Sequence, residues 1–163
     1  MDKPKPTKIV NRLFDRLAGY QCYADGIYDI RDYRGLEIDP QTPNENGVLP
    51  PVLWFCFRNT KTELFLINLS RTPNGKYVFG YETCHGAYGG GSSCFPSEKW
   101  RFNKPYTADL KQCLINAMKY IINYDFSFGD EDRKLREAAA DALKDLRRPE
   151  IRQFTIFDIL DGD

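Results

Sequence analysis

With 163 residues, 42% of them hydrophobic and 14% aromatic, the chain is long and apolar enough to bury a core, which excludes a disordered protein. Its 23 basic and 23 acidic residues cancel, so bulk charge drives it onto neither nucleic acid nor an anionic membrane. No apolar run approaches the ~18 residues of a membrane-spanning helix.

Met1-Asp2-Lys3-Pro4-Lys5-Pro6 lacks the apolar core of a secretion signal, so a cytoplasmic location is expected. The five cysteines (Cys22, Cys56, Cys84, Cys94, Cys113) are odd in number and irregularly spaced. They fit reduced thiols better than a disulfide framework. Thr7 is placed to cap a helix whose apolar positions Val10, Leu13, Phe14 and Leu17 repeat at helical spacing to about Tyr20. Residues 27–33 predict a short strand at a sheet edge. Residues 39–51 hold four prolines with Asn44, Asn46 and Gly47, and predict an exposed loop.

The stretch from Val52 to Glu82 organises the rest. Residues 52–57 and 64–69 are short, apolar and rich in β-branched or aromatic side chains, which predicts strands rather than helices. Both are apolar on alternate and intervening positions, so both faces are expected to meet protein. Thr72-Pro73-Asn74-Gly75 is a turn, because proline presets φ at its first central position and Asn and Gly tolerate the tight backbone after it. Residues 76–82 form the third strand, with Tyr77, Phe79 and Tyr81 on one face. Residues 85–93, including Gly89-Gly90-Gly91, predict a mobile connection. Residues 96–106 read as irregular, with Trp100 and Phe102 packing.

Thr107 is expected to cap the next helix, with Asp109 in its first turn. Leu110, Cys113, Leu114, Ala117, Met118 and Ile121 line its apolar face. A last helix begins after Gly129. Leu135, Ala138, Ala139, Ala142 and Leu146 form its stripe, its acids and bases complement the helix dipole, and Pro149 stops it. The order predicts an α+β domain over residues 1–148. In it a three- or four-stranded antiparallel meander is covered by an N-terminal helix and two C-terminal helices, and residues 149–163 form a tail. A helix–three strands–helix order also occurs in double-stranded-RNA-binding domains. The basic loop and helix start of that fold are not seen here, so its function is not carried over.

The sharpest functional signal is Gln153-Phe154-Thr155-Ile156-Phe157. Its Gln-x-x-Ile-Phe spacing resembles the short peptide with which many bacterial DNA-processing proteins dock on the replication sliding clamp. Phe154 departs from that pattern, in which Leu is commoner. The resemblance implies a glutamine that hydrogen-bonds and two apolar residues that fill a pocket, since an extended peptide needs a few deep anchors to offset its ordering. The alternative is that Phe154, Ile156, Ile159 and Leu160 fold back onto their own domain, because an apolar tail needs covering either way.

Three further groups carry weaker signals. Lys99, Trp100, Arg101, Phe102, Lys104 and Tyr106 combine cations and aromatic rings, the recipe for single-stranded nucleic acid. Arg58, Lys61, Arg71 and Lys76 at the hairpin ends would extend that surface. The alternative is that the rings are core and the charges are solvated. Cys84, His85 and Cys94 offer a nucleophile and a base at the glycine run. As zinc ligands they fall short of four, and no C-x-x-C pair exists, so no metal or cofactor is expected. The glycine run itself lacks a P-loop ending or a dinucleotide fingerprint.

The expectation is therefore a non-enzymatic accessory or interaction protein in bacterial, phage or mobile-element DNA transactions, tethered by its tail. The alternatives are a small enzyme at the glycine run, or a protein-binding inhibitor module using the Tyr77–Phe79–Tyr81 face.

Overall fold

The computed structural model describes residues 4–7, 26–85, 88–92, 106–123 and 130–148. Five strands run in the order β1 (Ile27–Asp29), β2 (Leu53–Asn59), β3 (Glu63–Arg71), β4 (Tyr77–His85) and β5 (Tyr88–Ser92). Two α-helices come next among the described residues, α1 (Leu110–Asn123) and α2 (Asp130–Arg147). The chain is α+β. The expected N-terminal helix falls on residues 8–20, which lie outside the described residues.

The three strands anticipated from apolar content form the centre of the sheet. All of β3 up to Ser70 is buried, so both of its faces meet protein. Leu69 pairs with Phe79 and Ile67 with Tyr81. The β3–β4 turn forms as its residues dictate. The Gly75 N–H donates to the Thr72 carbonyl at 2.9 Å, and Gly75 sits at φ 85°. Thr72 closes the loop by accepting the Lys76 N–H on its hydroxyl at 3.0 Å.

Two features of the sheet differ from the sequence reading. The glycine run is not a mobile connection, because Gly89, Gly90 and Gly91 are strand β5, opposite Cys84, Thr83 and Glu82. Glycine in a strand costs roughly 0.5–1 kcal/mol per residue. An open β4 edge would leave a row of backbone donors and acceptors unpaired, and pairing them outweighs that cost. The sheet is also mixed, not purely antiparallel. β2 to β5 form a four-stranded antiparallel meander, but β1 lies parallel to β2, with Ile27 opposite Trp54. Parallel neighbours need a long crossover. The proline-rich stretch 39–51 belongs to that crossover. Most of it is exposed, but Leu49 within it and Ile38 just before it are buried, and the Gln41 N–H donates to the Arg71 carbonyl at 2.8 Å.

At the outer edge Thr7 is joined to β1 by two hydrogen bonds, and the helix it is expected to cap lies outside the described residues. The Thr7 N–H donates to the Ile27 carbonyl at 2.6 Å, and its hydroxyl accepts the Asp29 N–H at 2.9 Å.

Both helices pack on one face of the sheet. Phe55, Phe65, Ile67, Leu69 and Phe79 meet Leu114, Ala117, Met118 and Ile121 of α1, and Leu135, Ala139 and Ala142 of α2, in one buried cluster. Asp109, not Thr107, caps α1, because its carboxylate accepts the Gln112 N–H at 3.2 Å. Thr107 instead supplies its carbonyl to the Tyr77 N–H at 2.6 Å. On the opposite face Trp54, Cys56, Leu64, Leu66 and Val78 are buried, with Leu49 and Tyr106 against Val78. No helix among the described residues is long and apolar enough to cross a membrane.

Candidate functional site

The aromatic row of β4 is spent on the core. Tyr77 is 4% exposed and Phe79 is fully buried. The Phe79 ring meets Tyr120 of α1 edge-on at 5.7 Å, and Tyr81 lies 6.2 Å from the same ring. A surface of three free rings does not exist, so that face is no docking site. The reason is that α1 needs an apolar partner along its whole stripe and finds it here.

A mixed apolar and basic hollow lies at the C-terminal end of α2. Ala140, Leu143, Lys144, Arg147 and Arg148 line a space of about 420 Å³. The helical repeat builds it. Leu135, Ala138, Ala139, Ala142 and Leu146 turn inward. Positions 140, 143, 144 and 147 recur at helical spacing on the adjoining side. Leu143 is half-buried against the core and Ala140 is exposed. Cations at this end also complement the helix dipole.

Ion pairs hold the rim. Asp145 accepts Arg31 Nε at 2.5 Å and lies 3.5 Å from Arg148 Nη1. The Arg31 hydrogen bond, with the charges of Arg31, Arg148 and Lys144, holds the Asp145 carboxyl below the usual carboxylate range. Arg31 is itself steadied by Asp29 at 3.2 Å, so the edge strand and α2 are tied together. Lys144 and Arg147 form no ion pair among the described residues, which leaves two cations on the hollow.

A second charged cluster sits where the β2–β3 hairpin meets α2. Register slips between Cys56 and Arg58, so that Arg58 comes opposite Phe65 on the helix-facing side. There it binds the buried Glu63 carboxylate, which Lys134 of α2 also approaches at 3.5 Å. Burial pushes the Glu63 carboxyl up, but the Arg58 hydrogen bond and charge, helped by Lys134, outweigh it and hold the group below its ordinary range. A carboxylate this firmly ionised and doubly paired fastens a helix to a hairpin; it is a poor proton shuttle.

The hairpin-end bases do not make one nucleic-acid stripe. Arg58 is committed to Glu63. Arg71 donates to the carbonyls of Gly75 at 3.0 Å and Ile38 at 3.2 Å and lies over Tyr77, so it braces the turn. Lys61 and Lys76 flank opposite ends of β3, roughly 26 Å apart at the rise of a strand.

Gln153, Phe154, Ile156 and Phe157 lie outside the described residues, as do Lys99, Trp100, Arg101, Lys104 and Cys94. Cys84 stands opposite Leu64 and Gly89, and His85 opposite Glu63 and Tyr88. Among the described residues no group of three His, Cys, Asp or Glu is arranged to hold a metal ion. Cys56 and Cys113 are buried and outside any disulfide. Burial, reinforced by the nearby Asp29 charge, pushes the Cys56 thiol up to about 12, so it is no nucleophile.

The sequence reading missed the hollow on α2. Its signal was present as a second stripe, Ala140, Leu143/Lys144 and Arg147, beside the core stripe. The cations were assigned only to the helix dipole. No protein-family model, curated protein or solved structure matches this chain.

Proposed function

We propose that this chain is a non-enzymatic accessory protein of bacterial, phage or mobile-element DNA transactions, acting in the cytoplasm and tethered to a replication sliding clamp. Residues 1–148 are the domain and residues 149–163 the tether. The observation that carries the reading is the spacing of Gln153, Ile156 and Phe157, beginning five residues after Arg148 and just past Pro149. Pro149 is the natural end of α2, which closes at Arg147. The peptide is thus separated in sequence from the apolar stripe of the last helix.

Tethering acts by concentration. A short flexible link confers an effective concentration near millimolar on whatever the domain contacts. Lys99, Trp100, Arg101 and Lys104 are the residues this reading assigns to single-stranded nucleic acid, by ring stacking and phosphate pairing. Replacing Ile156 and Phe157 together with Ala in the full chain is expected to abolish binding to purified clamp, with thermal unfolding unchanged. Retained clamp binding by that double variant ends the proposal.

A further inference from the structure

We infer that the outward side of α2 is a contact surface for the phosphate backbone of double-stranded nucleic acid, formed by Arg133, Arg136, Lys144 and Arg147. At 3.6 residues per turn these four, with Ala140 and Leu143 among them, fall within about 100° of the helix circumference. None of the six is acidic. Glu137, Asp141 and Asp145 fall on the adjoining sector, the side on which Asp145 binds Arg31. The helix thus sorts its outer charges into two rows, and one of them is cationic throughout. Arg133, Lys144 and Arg147 are exposed, and Arg136 keeps its side chain 42% exposed.

The neighbouring acids do not neutralise this row. Asp145 is taken by Arg31 and Arg148. Asp132 is buried and lies 3.9 Å from Arg136. Glu137 meets Arg133 at 3.8 Å, but both side chains stand in water, where such a pair is weak and yields to a better anion. Lys144 and Arg147 form no ion pair among the described residues.

Length and chemistry select the partner. From Arg133 to Arg147 the row runs ~21 Å at 1.5 Å per residue. A duplex presents one phosphate per ~3.4 Å of axis on each strand, about six over that length, so all four cations find one. Three of the four are arginines, whose planar fork matches phosphate oxygens in pairs. A peptide would need a deep apolar anchor, and the depression at Ala140 and Leu143 is open to solvent. A phosphate backbone needs no such anchor. The row also lacks an aromatic ring on which unpaired bases would stack, which favours duplex over single strand. The whole chain carries no net charge, so the contact acts at short range, independently of base sequence and sensitive to salt. It is separate from the clamp tether and from the single-strand assignment of Lys99, Trp100, Arg101 and Lys104, and rests on neither.

The test is fluorescence anisotropy of a labelled mixed-sequence duplex with the full chain, between ~50 and ~200 mM salt. Binding is expected with a slope of log Kobs against log salt of about −3.6, four contacts at ~0.9 each. Lys144→Gln with Arg147→Gln changes only exposed positions. It should bring the slope to about −1.8 and weaken binding at ~50 mM salt by about tenfold or more, with thermal unfolding unchanged. Arg133→Gln alone should remove ~0.9 from the slope. Lys76→Gln, an exposed cation at the far β3–β4 turn, should change neither slope nor affinity. Four results overturn the inference: no duplex binding at the lowest salt, a slope unmoved by the double variant, Lys76→Gln as damaging as Arg133→Gln, or poly-glutamate of equal charge displacing the duplex as well as unlabelled duplex does. The Ile156 and Phe157 double alanine variant should bind duplex with the full slope, so clamp binding and duplex binding can fail separately.

Discussion

Replacing Glu63 with Gln keeps the shape of the side chain and one acceptor for Arg58, and removes the charge. The carboxylate is only 5% exposed, so its ion pairs act where water screens them poorly. Arg58 and Lys134, however, have side chains 40% and 44% exposed, and both return to water when the charge is gone. The loss is therefore well short of the ~3–5 kcal/mol for breaking a fully buried pair and closer to that of a charged hydrogen bond, about 1–2 kcal/mol. With a urea slope of ~2 kcal/mol/M, the midpoint should fall by roughly 0.5–1 M at pH 7. The pH dependence has a definite sign. The folded carboxyl is held below its unfolded value, so its stabilisation is complete above the unfolded pKa of ~4.3. It is lost as pH falls through the folded value. The gap between the two proteins should be full at pH 7 and close as the medium is acidified below about pH 4. Equal midpoints at pH 7, or a gap that persists in acid, would refute the reasoning.

Three other perturbations probe the fold. Phe79→Ala removes a fully buried ring packed on Tyr120 and should cost about 3–5 kcal/mol, read as a drop in urea midpoint. Gly75→Ala places a Cβ at φ 85°, with the nearest atoms those of the Arg71 guanidinium at 3.5 Å. The space is free and the backbone is not, so calorimetry should show a loss of about 1–2 kcal/mol. Cys56, buried and with its thiol pushed up to about 12, should resist alkylation at pH 8 in the native protein and react at the ordinary rate in urea.

The central strands and the inward faces of α1 and α2 were legible along the chain because each depends on local periodicity. Residues 52–57 and 64–69 are too apolar and too short to be anything but buried strands, and Leu135–Ala139–Ala142–Leu146 repeats at the helical spacing. The proline and glycine of the β3–β4 turn likewise carry their conformation with them.

Partners distant in sequence decided the rest. Gly89–Gly91 has no strand propensity of its own and becomes β5 because β4 offers an open edge. Ile27–Asp29 joins parallel to β2 because the proline-rich stretch is long enough to return the chain on the same heading. Glu63 reads as an ordinary surface acid until the bulge at Arg58 and the docking of Lys134 enclose it. Local preference is written residue by residue, whereas edge pairing, charge burial and the hollow on α2 exist only once remote segments meet, and there tertiary contact overrides propensity.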